Sequence, residues 1–210
     1  GQNPARQAAI GAGLPVELPA VTVNMVCASG MKAVLLAAQA VRCGDSDIVV
    51  AGGMESMSQA PYLVERASIR REPGEGGFTD SMLRDGLWDA YEDTHMGTCA
   101  ELLVEEQAIS REQQDRFALE SHRKALRAID EGRFSNEVVP VDTPRGPVDQ
   151  DEGPRRDTSL QAISALEPAF KEGGTITAGN ASQLSDGASA LVVMSADRAR
   201  ELEVDPLATI

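Results

Sequence analysis

The 210 residues suffice for one substantial domain, or one and part of another, on a prior of roughly 150 residues per domain, and a make-up of 42% hydrophobic and 25% charged residues excludes disordered, collagen-like and low-complexity classes. Nineteen basic against 33 acidic side chains leave a net charge of −14, which argues against nucleic acid as a partner. No apolar stretch nears the roughly 18 residues of a membrane helix, no basic-then-apolar leader opens the chain, and three cysteines lack both metal-ligand spacing and an even count, so we expect a soluble protein of a reducing, cytoplasmic compartment with no metal site and no membrane partner.

In chain order, Asn3-Pro4 predicts a helix to Gly11 or Gly13, opening abruptly enough to suggest a start inside a fold. The β-branched run AVTVN at 20–24 predicts a strand, SGMKAVLLAAQAVR at 29–42 a buried helix, and DIVVA at 47–51 a second strand ending at Gly52-Gly53. Strand, helix, strand in that order predicts a right-handed parallel unit and hence an α/β core. From 56 to 93 the pattern breaks into Pro, Gly and charged clusters, including REPGEGG at 71–77, and predicts a surface excursion. Helical periodicity returns after Gly97, and Ser110 with Gln113 predicts a capping box for a helix through Phe117, Ala125, Ala128 and Ile129, ended by Gly132. Beyond EVVPVD at 137–142 lies another Pro, Gly and Asp-rich stretch, then ASALVVMS at 188–195 as a core strand, so residues from about 60 to 175 look inserted between core pieces. A short helix at 197–202 leads into Pro206 to Ile210, where a further strand is expected to begin.

Cys27, within NMVCASGMKA at 24–33, falls in the turn between strand and helix. The positive end of a helix favours a thiolate, and small neighbours Ala28, Ser29 and Gly30 admit a substrate carbonyl and leave backbone N–H groups to hold an oxyanion. On this pattern alone Cys27 is either an activated nucleophile or a small buried hydrophobe. GGM at 52–54 is too short to cradle phosphate, so its glycines are assigned to packing. His122, in the charged string SHRK, is expected to face solvent.

NMVCASGMKA, AGGMESMSQAP at 51–61, HMG at 95–97, SREQQDRFALESHRKA at 110–125, DEGPRRDTSL at 151–160 and TAGNASQLSDGASALVVMS at 177–195 together resemble the thiolases. The resemblance implies an acyl-CoA acyltransferase with a thiolase-like layered α/β core and an inserted loop domain. It implies the first part of the N-terminal domain at 1–60, the loop domain at 61–175, a return strand at 176–196 and the start of a C-terminal domain at 197–210. Cys27 then matches the nucleophile that carries the acyl group as a thioester, in thiolysis of a 3-ketoacyl-CoA or in condensation of two acetyl-CoA. His95 and Met96 match residues of the acyl pocket, Arg155 a coenzyme A-binding position, and Ala178, Ser182 and Leu184 residues beside the pantetheine arm. Coenzyme A and acyl-CoA are substrates, no cofactor is bound permanently, and a homodimer or homotetramer is implied.

The sequence departs from the pattern at Ala162, where a Ser often stands seven residues after the coenzyme A-binding Arg. The GHP, C-x-G-G-G and NEAF motifs do not occur in these residues. The 210 residues alone are therefore expected to be inactive and to lack the first strand and most of the second half. The alternatives are a β-ketoacyl synthase-like enzyme, disfavoured by DEGPRR and TAGNAS, and a non-catalytic coenzyme A-binding or oligomerisation fragment.

Overall fold

The computed structural model describes residues 1–65 and 77–210, so residues 66–76 of the expected excursion, including all of REPGEGG but its last glycine, lie outside the described residues. Two compact units divide the chain, one of residues 1–56 and 186–210, the other of residues 57–185.

The first unit opens with α1, Pro4–Gly11, capped by the Asn3 side chain on the Arg6 N–H. Residues 20–24 form no strand, which corrects the expectation for AVTVN. No strand runs alongside it among the described residues, and its polar groups are spent on the start of α1. The Asn3 amide donates to the Ala20 carbonyl at 3.0 Å, and the Thr22 hydroxyl donates to Asn3 Oδ1 at 2.7 Å and accepts the Ala5 N–H at 3.1 Å.

Helix α2, Ser29–Cys43, ends at Gly44 in the left-handed conformation. It leads into β1, Ile48–Ser56, which runs through the glycines instead of ending at them. Strand β1 pairs with the nine-residue strand Asp186–Met194, antiparallel from Ile48 with Met194 to Ser56 with Asp186. The predicted parallel unit is therefore absent among the described residues, because the neighbour of β1 is a strand that returns from the far end of the chain. The glycines serve close approach: a Cβ on Gly52 would stand 2.0 Å from the Ser189 carbonyl oxygen, and one on Gly53 would stand 3.2 Å from the Gly30 Cα at the start of α2.

Two strands give α2 one face to pack on, and only Ala37 and Ala38 of the helix are buried. Met31 is 70% exposed and Leu35 is also exposed, so the helix is amphipathic in its surroundings though apolar in sequence. The same shortage of neighbours leaves Leu191 and Val192 exposed on the strand expected to lie in the core. The window Val26–Cys43 is also long and apolar enough to pass for a membrane span by length and composition, which corrects the expectation of no such stretch. Its first residues, however, form the Cys27 turn rather than helix, and its helical part packs on the sheet. The segment expected to begin a strand at the end of the chain has no regular structure.

Among the described residues of the second unit are three antiparallel strand pairs and three α-helices. Strand β2, Tyr62–Leu63, pairs with β3, Thr79–Asp80; β4, Trp88–Asp89, with β5, Thr94–His95; and β6, Val141–Thr143, with β7, Gly146–Val148. Helix α3 spans Met96–Glu106, α4 Arg111–Asp130 and α5 Leu160–Ser164; the long strand Asp186–Met194 of the first unit is β8, followed there by α6, Ala196–Glu201. The capping box of α4 forms as expected, with both the Ser110 and the Gln113 side chains engaged, and Gly132 adopts φ +67° just past its end. Buried apolar residues here are Leu119, Ile163 and Ile176, and beside them lie Glu101, Asp115 and Thr177, all buried. Buried charge is tolerated only where hydrogen bonds replace water, and each of these carboxylates has them.

Candidate active site

Cys27 is exposed, in the turn that enters α2. The residue before it, Val26, has φ +50°, a left-handed conformation that a β-branched side chain rarely takes. Three side-chain bonds hold that turn. Asn24 Oδ1 accepts the Val26 N–H at 2.9 Å, while the Ser29 hydroxyl accepts the Met25 N–H at 2.8 Å and donates to the Val26 carbonyl at 2.6 Å. The Ala28 and Ser29 N–H groups donate to the Met25 and Val26 carbonyls at 3.1 and 3.2 Å, so the expectation that they stand open for an oxyanion is corrected for both. A turn this tight uses those donors to close itself.

The other six expected site residues belong to the second unit. His95 ends β5 and caps α3, its Nδ1 accepting the Gly97 N–H at 2.9 Å. Its ring stacks on Phe170 with centroids 4.9 Å apart. Gly97 makes room for the Phe170 ring, since a Cβ there would stand 2.3 Å from its Cγ. Met96, the first residue of α3, is half exposed. Its side chain and the capped imidazole thus sit at one helix end.

Arg155 is exposed and its guanidinium faces Asp157 at 3.1 Å. The Asp157 side chain holds the Arg155 guanidinium above its ordinary value, and Arg155 in return holds the Asp157 carboxyl below its own. Arg156 pairs with Asp130 instead, so the two arginines point to different partners. The Arg155 N–H donates to His122 Nδ1 at 3.1 Å. His122 is therefore a half-buried acceptor, not the solvent-facing residue expected. Asp115, Leu119 and His122 share one stripe of α4 at spacings of four and three, and Asp115 and Leu119 are buried, so helical phase alone would have placed His122 inward. Gln183 donates to the Gly153 carbonyl at 2.8 Å and so brings the segment of Arg155 beside that of Ser182 and Leu184. Ala178, Ser182 and Leu184 are exposed along one loop.

That loop is gripped from beneath by two buried carboxylates that the sequence reading did not single out. Glu101 of α3 accepts the N–H groups of Thr175 at 2.8 Å and Ile176 at 2.7 Å, and the Thr175 hydroxyl at 3.1 Å. Burial pushes its carboxyl up, but the Ile176 and Thr175 donors outweigh burial and hold it below the ordinary glutamate value. Asp115 of α4 accepts from Arg111, Ser164 and Asn180. The signal available in sequence was the Arg111, Asp115 spacing of four.

A profile described as the thiolase N-terminal domain matches residues 1–197. The chain is 51% identical over its whole length to the acetyl-CoA acetyltransferase of Pseudomonas aeruginosa and covers 55% of that protein. Among solved structures, it superposes on the acetyl-CoA acetyltransferase of Syntrophomonas wolfei with a TM-score of 0.92 and 42% identity, over 99% of this chain and 52% of that one. A thiolase of Ascaris suum in complex with coenzyme A matches with a TM-score of 0.89 and 44% identity, over 98% of this chain and 53% of that one. The chain thus spans about half the length of the relatives it matches.

Proposed function

The chain belongs to the thiolase family and has the thiolase-like α/β fold, and from that premise we propose that the protein carrying it transfers acyl groups between coenzyme A thioesters through Cys27. The Cys27 sulfur attacks the ketone carbonyl of a 3-ketoacyl-CoA, the C2–C3 bond breaks, and acetyl-CoA leaves as its carbanion and takes up a proton. Free coenzyme A then attacks the thioester carbonyl and releases the shortened acyl-CoA with the Cys27 thiol restored. In reverse, acetyl-CoA acylates Cys27 with release of free coenzyme A, and the carbanion of a second acetyl-CoA attacks that thioester, displacing the Cys27 sulfur and forming acetoacetyl-CoA. The observation that carries this reading is an exposed cysteine at the head of α2, behind a valine held at positive φ by Asn24 and Ser29. His95 and Met96 line the acyl pocket, and Ala178, Ser182 and Leu184 border the pantetheine arm. On the same reading residues 61–175 are the loop domain, the complete protein is a homodimer or homotetramer, and the 210 residues alone do not turn over.

The test is thiolysis by the full-length protein. HMG at 95–97 and CASGMKA at 27–33 resemble acetoacetyl-specific members, so acetoacetyl-CoA is expected to be cleaved faster than 3-ketohexadecanoyl-CoA; a clear preference for the long chain would reverse that expectation, and cleavage of neither would sink the function.

Arg155 provides a second check. Coenzyme A must compete with Asp157 for its guanidinium, and solvent screens a charge-assisted contact at so exposed a side chain. Arg155→Ala is therefore expected to weaken coenzyme A binding by no more than about tenfold in calorimetry. Unchanged affinity would return Arg155 to its exposed pair with Asp157.

A further inference from the structure

We propose that Asp115 is a positioning residue for the coenzyme A-binding loop, acting through Asn180 on the backbone that presents Ala178 and Ser182. The inference rests on the reading of those two residues given above and adds the device that sets their place. Asp115 has no exposed surface, and each of its carboxylate oxygens has two partners. Arg111 Nε lies 3.0 and 2.9 Å from the two oxygens, the Ser164 hydroxyl donates to Oδ2 at 3.1 Å, and the Asn180 amide donates to Oδ1 at 2.9 Å.

Asn180 passes this constraint to the loop. Its amide nitrogen also donates to the Thr175 carbonyl at 3.1 Å, and its amide oxygen accepts the Thr177 N–H at 2.8 Å. A carboxylate only accepts, so Asp115 requires the Asn180 nitrogen to face it and the oxygen to face Thr177. The remaining bonds close the turn on the fully buried Thr177: its carbonyl accepts the N–H groups of Asn180 and Ala181, and its hydroxyl accepts that of Gly179. Ala178 stands exposed at the crest of this turn and Ser182 follows it. For stability alone an apolar pair often serves as well as a buried charge, whereas here the charge dictates the orientation of one amide and, through it, the turn.

In the full-length protein, Asp115→Asn is expected to weaken coenzyme A binding about tenfold, because it removes the charge that strengthens the bonds from Arg111 and Asn180 and turns one of the two acceptor oxygens into a donor. Asn180→Ala is expected to do the same, and the double variant to lose no more than either single one, since both act by one route. Alkylation of Cys27 by iodoacetamide without coenzyme A should proceed at the wild-type rate in all three. Leu119→Ala, a packing change on the same helix, should lower the thermal midpoint yet keep coenzyme A affinity. Wild-type affinity in a folded Asp115→Asn protein, additive losses in the double variant, or an equal loss in Leu119→Ala would each overturn the assignment. Should Asp115→Asn fail to fold, Asn180→Ala decides alone: retained affinity overturns the proposal and a loss with unchanged Cys27 alkylation supports it. A wild-type protein that does not bind coenzyme A would overturn the proposed function itself and this inference with it, an outcome separate from a variant that binds as well as wild type.

Discussion

Incubation of the full-length protein with acetyl-CoA is expected to add one acetyl group per chain, at Cys27, and Cys27→Ala is expected to abolish both the adduct and turnover. Removing a covalent nucleophile lowers turnover by about 10⁴-fold or more, because no remaining group takes its place in the first bond-forming step. The other two cysteines differ in setting. Cys43 ends α2 rather than opening it. Cys99 is half-buried with its sulfur 3.7 Å from Asp89, and burial together with that carboxylate pushes its thiol up. Asp89 stays charged beside it, since the N–H groups of Tyr91 and Glu92 hold its carboxyl low. Cys99 should therefore be the slowest of the three to react with iodoacetamide near neutral pH. Peptide mapping that places the acetyl group on Cys43 or Cys99 would remove Cys27 from its role.

Glu101→Ala should cost the protein much of its stability. The change leaves the buried Ile176 N–H without its acceptor, at about 1–3 kcal/mol, and the half-buried Thr175 N–H as well, at less, against a total that is commonly about 5–15 kcal/mol. Urea denaturation reads the loss directly, and an unchanged midpoint would refute the account. The pH dependence has a definite sign. The folded carboxyl lies below its ordinary value of 4.5, so its contribution is fully present above that value and disappears as pH falls through the lower folded one. Glu101→Gln should flatten the acid limb of a stability profile in that window; an acid limb as steep as wild type would assign it to other carboxylates.

What could be read from sequence was whatever a few neighbouring residues decide. Asn3-Pro4 capped α1, Ser110 and Gln113 closed the box on α4, and Gly44 and Gly132 ended their helices, all within one turn of chain. Burial was less legible, because it depends on partners that local pattern does not name: α2 is apolar in sequence but buries only Ala37 and Ala38, β8 is apolar towards its end but lies largely exposed, and AVTVN has strand composition without a strand beside it among the described residues. Motif order located Cys27, yet not the positive φ of Val26 that precedes it. The roles of Glu101, Asp115 and His122 escaped for a different reason. Each side chain meets a partner distant in sequence, and charge in a helical segment resembles a solvated face until its phase against buried neighbours is followed.

The pairing of β1 with β8 also bears on how the chain is made. Ser56 must wait for Asp186, and synthesis at about 5–20 residues per second puts that delay on the order of ten seconds. Residues 57–185 are contiguous and form a compact unit, so they can begin to close on the ribosome while β1, with Val50 and Met54 exposed, still lacks its partner strand. Until Asp186 emerges, β1 is thus an edge that a nascent chain must keep from pairing with its neighbours on the same message.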